Sequence, residues 1–120
     1  MYFEIDNYNA LKEALNHLCT GLAEQDVPKE TVYDSKLVAD ELISNALRHG
    51  GGKAYFAVHV EEEFISLSVK SLDSFRPPDK SILSGRESEH GRGLYIVDAL
   101  VETRRYSEEG GTSVVIRIRR

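Results

Sequence analysis

Three short stretches of the chain hold residue types suited to phosphate chemistry. Glu41, Asn45 and His49 are each four residues from the next, a spacing that on a helix turns each by only about 40° and makes one row of them. A carboxylate one turn from a carboxamide oxygen suits phosphoryl transfer, since the amide oxygen can ligate Mg²⁺ and the carboxylate can orient or deprotonate a nucleophile. The same row also fits a helix edge finished with hydrogen-bonded polar groups. His90-Gly91-Arg92-Gly93-Leu94 sets a glycine pair at the opening of an apolar helical pattern. Backbone N–H groups at a helix N-terminus carry partial positive charge, glycines admit a phosphate closely, and Arg92 adds a charged hydrogen-bond fork. A GxG alone is often only a tight turn. Gly110-Gly111-Thr112 brings a hydroxyl to the start of the closing strand pattern, and by itself reads equally as a hairpin turn.

The elements that must position these groups follow from periodicity. Residues 2–5 read as a strand with Phe3 and Ile5 on one face, and Asp6 or Asn7 caps the helix that follows. There Tyr8, Leu11, Leu15, Leu18 and Leu22 form a buried stripe, and Gly21 weakens the last turn. A second helix runs from about residue 28 to 49, with Pro28 in its first turn, and stops at Gly50-Gly51-Gly52. On it Val38, Ala39, Leu42, Ile43, Ala46 and Leu47 make the core-facing arc. Asp40, Ser44 and Arg48 face solvent, and the row Glu41, Asn45, His49 lies at the border. Period-two alternation over 54–60 and 64–69 predicts a hairpin turning at Glu61-Glu62-Glu63. Residues 72–92 read as a long loop, and a third helix opens at Gly91-Arg92-Gly93. A weak strand near 101–106, a turn at 108–111 and a last strand with Val114, Ile116 and Ile118 on one face complete the order β-α-α-β-β-α-β-β. Adjacent hairpins and helices grouped in sequence imply one helical layer on one sheet face.

At 120 residues, 41% apolar and 29% charged, the chain reads as a single domain, 1–120, with one core and without repeats or linkers. The formal charge of −5 speaks against direct nucleic-acid binding. The short cluster Arg117, Arg119, Arg120 is either a solvated strand end or a basic edge for an acidic partner. The lone Cys19 permits no intrachain disulfide, and His17, His49, His59 and His90 show no zinc spacing. No signal-like or membrane-spanning run is present, so a cytoplasmic location is expected.

The stretch Glu41-Leu42-Ile43-Ser44-Asn45-Ala46-Leu47-Arg48-His49-Gly50 resembles the N box of the GHKL (histidine kinase-like) ATPase superfamily, which includes gyrase, the heat-shock-90 chaperone and histidine kinases. Its E-x-x-x-N-A-x-x-H-G form is similar to that of the anti-sigma serine/threonine kinases. His90 to Leu94 resembles the family's glycine-rich phosphate box, and Gly110-Gly111-Thr112 its last box, where the threonine hydroxyl lies near the adenine. The resemblance spans roughly residues 1–120. It implies an α/β-class, α+β two-layer sandwich of the Bergerat ATP-binding type, a mixed, largely antiparallel sheet covered on one face by about three helices, with an ATP lid over 75–90. ATP and Mg²⁺ are the implied cofactors. Asn45 would hold Mg²⁺, Glu41 would act as general base, and His49, Gly91, Arg92, Gly93, Leu94 and Thr112 would line the nucleotide. The implied partners are a sigma factor and an anti-sigma-antagonist protein, and a homodimer is expected on the same ground.

One departure stands out: the family's adenine box is D-x-G, and here Ser71 aligns with its aspartate and Asp73 with its glycine. Hydrogen bonds to charged groups contribute about 1.5 to 3 kcal/mol and neutral ones about 0.5 to 1.5, so Ser71 would cost roughly tenfold in affinity. Asp73, of the same strand parity, can supply the carboxylate through a two-residue slip or a bulge. Two functions follow as expectations. One is an ATP-dependent serine/threonine kinase that also sequesters a sigma factor. The other is a non-catalytic binding module with weakened or lost nucleotide binding.

Overall fold

The computed structural model describes residues 1–78 and 88–119; of the side chains at 88–92 only the backbone course is described. The elements are β1 (Tyr2–Ile5), α1 (Tyr8–Glu24), α2 (Lys29–His49), β2 (Ala54–Val60), β3 (Phe64–Ser71), α3 (Ser88–Leu100), β4 (Thr103–Ser107) and β5 (Gly111–Arg117). Order and type agree with the sequence reading. The strands form one sheet in the order β1-β2-β3-β5-β4. Every pairing is antiparallel, so the largely antiparallel sheet expected from the sequence has no parallel pair among the described residues: β3 and β4, linked through α3, run parallel to each other, but β5 lies between them.

Local chemistry explains the boundaries. Asn7 caps α1, its Oδ1 accepting from the Ala10 amide at 2.8 Å. The buried stripe of α1 is Leu11, Ala14, Leu15, Leu18 and Leu22. Tyr8, expected in that stripe, is 57% exposed, because helical side chains lean toward the N-terminus and that of the first residue projects off the end. Pro28 stands at the N-cap of α2 in an extended conformation rather than inside its first turn. Its carbonyl accepts from Val32 at 3.0 Å. The third helix begins at Ser88, three residues before the expected Gly91, so the glycine pair lies within its opening turns. The expected lid over 75–90 falls in part on residues 79–87, outside the described residues.

One face of the sheet is closed by the helices. Ile5, Phe56, Val58, Ile65, Leu67 and Val114 meet Leu18 and Leu22 of α1 and Val38, Leu42 and Ile43 of α2, all essentially buried. Helix α2 crosses β2, β3 and β5, with α1 on one flank and α3 on the other. That double flanking leaves Asp40 and Ser44 half-buried, where full exposure was expected, and Ser44 donates to the Asp40 carboxylate at 3.3 Å. Among the described residues no helix is long and apolar enough to cross a membrane. Phe56 is completely enclosed at the sheet's contact with the helices. We expect Phe56→Ala to lower unfolding free energy by about 3–5 kcal/mol in urea titrations; a loss below about 1 kcal/mol would show that the two layers do not depend on it.

Candidate functional site

The helix–sheet contact leaves a cleft where α2 ends. Its volume is about 260 Å³, and Leu42, Asn45 and Ala46 of α2 form one wall. Val69 and Ser71 of β3, with Leu72, Phe75 and Pro77 beyond it, form the second. Tyr106, Glu108 and Thr112 close it from the β4–β5 hairpin. The lining mixes apolar side chains, Leu42, Ala46, Val69 and Phe75, with polar ones, Asn45, Ser71, Glu108 and Thr112, and the volume is close to the lower end of the roughly 300–1,000 Å³ range of small-ligand sites.

Asn45 lines this cleft, and its Oδ1 accepts from the Arg48 Nη2 at 2.8 Å. The oxygen expected to hold Mg²⁺ therefore already faces a cation. Glu41, one turn earlier, is half-buried, and its carboxyl is raised above the ordinary value of 4.5, first by burial and then by Asp40, with Arg48 acting in the opposite direction. Gly93 is why that burial is possible. A Cβ there would collide with the Glu41 carboxylate, so the glycine of α3 lets its backbone lie against the acid. Glu41 and Gly93, 52 positions apart in the chain, thus meet side by side.

His49 is exposed and its ring lies 5.2 Å from that of Phe75, at the rim and outside the cleft lining. Ser71 donates its hydroxyl proton to the Asp73 carbonyl at 2.5 Å, which orients the Oγ lone pairs for a donor from the cleft. Asp73 does not line the cleft. It is exposed and its carboxylate rests against Gly51, because the Asp73 amide donates to the Gly50 carbonyl at 2.8 Å and the Leu72 amide to Lys53 at 2.9 Å, tying this turn to the end of α2. Thr112 is buried in the lining. Before it, Gly111 takes φ +74° and a Cβ would meet the Val69 carbonyl, so only glycine passes there without strain. Leu94 is buried and is not among the residues that line the cleft. Gly91 and Arg92 lie on the opening turns of α3.

Sequence reasoning missed Phe75, Tyr106 and Glu108, since each reaches the cleft through strand register or loop course. It also missed Arg104, whose side chain is only 9% exposed. Its guanidinium grips both Asp98 oxygens, at 2.6 and 3.0 Å, and the Pro78 carbonyl at 2.8 Å. One residue of β4 therefore fastens α3 and the end of the segment that follows β3, a charge-assisted bidentate bond of the strong kind. Arg76 stands over the Tyr106 ring at 5.5 Å.

The residues present fit a nucleotide with a divalent cation. The apolar wall suits a base, hydroxyls stand at its edge, and the amide oxygen faces positive charge. The spared Cβ at Gly93 opens α3's first turns beside the acid. Among the described residues no group of three or more His, Cys, Asp or Glu is placed to hold a metal. Asn45 is the cleft residue whose amide oxygen would hold Mg²⁺ alongside substrate phosphates.

The raised Glu41 pKa has a consequence for stability. The folded chain holds this proton more tightly than the unfolded one, so the stability it contributes is complete below pH 4.5 and is lost as pH rises through the folded value. We expect Glu41→Gln to melt at a higher temperature than the wild type at about pH 7, and the difference to vanish by about pH 4, in thermal scans. A lower melting temperature at neutral pH would show that the carboxylate is stabilising where it lies.

A family model described as the histidine kinase-like ATPase domain matches residues 6–118, nearly the whole chain. A comparison with curated proteins finds no match. The five-stranded antiparallel sheet with three helices is the α+β sandwich this family implies, and ATP is the ligand it implies. The chain belongs to the histidine kinase-like ATPase domain family.

Proposed function

We propose that this histidine kinase-like ATPase domain acts in the cytoplasm as an ATP-dependent serine/threonine protein kinase of the anti-sigma type, phosphorylating a small antagonist protein and sequestering a sigma factor. The observation that carries the reading is Glu41, a half-buried carboxyl of raised pKa one turn from the cleft-lining Asn45 and pressed against Gly93. The partner classes and a homodimer rest on the form of the Glu41 to Gly50 stretch.

In this reading Leu42, Ala46 and Val69 keep water from the base, while the Ser71 Oγ accepts from its amino group and Thr112 adds a hydroxyl. Asn45 would hold Mg²⁺ through its amide oxygen, and Gly91, Arg92 and Gly93 on the opening turns of α3 would border the phosphates. Mg-ATP bound there would supply the γ-phosphoryl group, which would pass to the partner serine oxygen with ADP as the leaving group, and the metal would offset the phosphate charge. Glu41 takes the proton of a partner serine hydroxyl. Its raised pKa makes it a stronger base than an exposed carboxylate, provided the pH keeps it ionised. A second reading, a binding module with weakened nucleotide affinity, is favoured by one observation: the neutral Ser71, whose proton is already committed to Asp73, stands where the related box carries a carboxylate.

We expect Glu41→Ala to abolish phosphate transfer to a serine substrate while Mg-ATP affinity, by calorimetry, stays within about threefold; equal transfer in the two proteins removes Glu41 from the mechanism. Asn45→Ala should lose the Mg²⁺-dependent part of binding. Absence of wild-type binding at millimolar ATP would favour the second reading. Transfer should also rise with pH through an apparent pKa above 4.5. Asp40→Asn should lower that midpoint and Arg48→Ala raise it, as the signs of their charges require; a profile indifferent to both would place the titrating group elsewhere.

A further inference from the structure

The sheet face turned away from the helices carries chemistry that the cleft does not use. Cross-strand register lines up Tyr2, Ala57, Ser68, Ser113 and Arg105 as one row across all five strands. The three central members are small, so the row is a shallow trough with a tyrosine at one end and a guanidinium at the other. Beside it runs a second row, Glu4, Tyr55 and Lys70. Where these rows meet, a hollow of about 430 Å³ opens between Tyr2, Tyr55, Ala57, Ser68, Lys70 and Leu72. Tyr2 is 61% and Leu72 55% exposed, an apolar offering to solvent that the closed face does not need.

The charge on this face is opposite to that of the chain. The whole chain has a formal net charge of −5, yet the face presents Lys70, Arg105 and Arg117, with Lys53 at its rim over the Tyr55 ring at 5.3 Å. Glu4 is the acid placed on it by register. Glu102 engages Arg117 at 2.9 Å, whereas Lys70 and Arg105 make no ion pair among the described residues. Segregated charge of this kind attracts a complementary partner and repels a like-charged one. A polyanion such as nucleic acid would meet a few cations on a chain that is otherwise strongly acidic, whereas a short protein segment need match only this face.

We propose that the open sheet face docks a protein segment that carries carboxylates beside an apolar side chain. The apolar side chain enters the hollow between Tyr55 and Leu72, and the carboxylates pair with Lys70 and Arg105 along the trough. The proposal does not depend on the nucleotide reading of the cleft on the other face.

The test is an NMR titration of the full chain with three probes: a synthetic ten-residue peptide of Asp and Glu flanking a central Leu-Phe pair, the same peptide with Ser at every acidic position, and decathymidylate. The expected result is shift changes centred on Tyr55, Ala57, Ser68 and Ser113 with the acidic peptide, weakening as salt is raised, and much weaker binding of the Ser peptide. Charge reversal by Lys70→Glu with Arg105→Glu should weaken binding about tenfold while the melting temperature is unchanged. If the double variant does not fold, Lys70→Ser alone, at an exposed strand position, should weaken it about threefold. Shifts that are absent or lie elsewhere, equal binding of the Ser peptide, tighter binding of decathymidylate on the same residues, or concentration-dependent shifts of this face without any peptide, would each overturn the proposal.

Discussion

Everything in this molecule depends on how α2 is seated. Its apolar arc, Val38, Leu42, Ile43 and Ala46, is buried against the middle of the sheet, and burying the three larger side chains contributes roughly 1.5–3 kcal/mol each. That packing fixes the helix's rotation about its axis. Glu41 and Asn45 border the arc, so once the arc is buried they have no freedom to turn into bulk water or fully into the core. The position of the acid is therefore a by-product of hydrophobic packing, and so is its raised pKa, since half-burial is what disfavours its charge.

A half-buried acid needs neighbours that tolerate it, and the fold provides them by subtraction. Gly93 removes a side chain where α3 would otherwise strike the carboxylate. Gly111 does the same where the β4–β5 hairpin passes the Val69 carbonyl. In both places the backbone comes close because a Cβ is missing, and the space gained lies along α2's polar row and at the cleft wall. Arg104 then holds the arrangement in register, since its bidentate grip on Asp98, six residues earlier, and its bond to the Pro78 carbonyl, 26 residues earlier, tie α3, β4 and the segment after β3 together.

Periodicity made the eight elements and their order legible, because the steps of three and four in α1 and α2 and the alternation in β2 and β3 report burial directly. The row Glu41, Asn45, His49 was legible for the same reason. What stayed hidden was set by register or by chain ends. Tyr106 reaches the cleft only because it pairs with Thr112, and nothing in residues 103–107 announces that partner. Tyr8 satisfies the stripe's spacing yet is exposed, since spacing does not say where a helix begins. Asp73 has the strand parity that would aim it at a base, but the hydrogen bond from its amide to Gly50 ends the strand and turns its carboxylate away. A local backbone bond decides that matter, and it leaves no mark in a hydrophobic pattern.

The end of β3 matters for a further reason. Strand alternation sends successive side chains to opposite faces, so a strand whose last residues border a cleft on one face must border the open face as well. Lys70, Ser71 and Leu72 do this and line both hollows. The Ser71 hydroxyl and the Leu72 amide are each bonded to neighbouring backbone, so this segment cannot shift toward one face without moving at the other. The cleft and the hollow therefore share one short segment as a common wall.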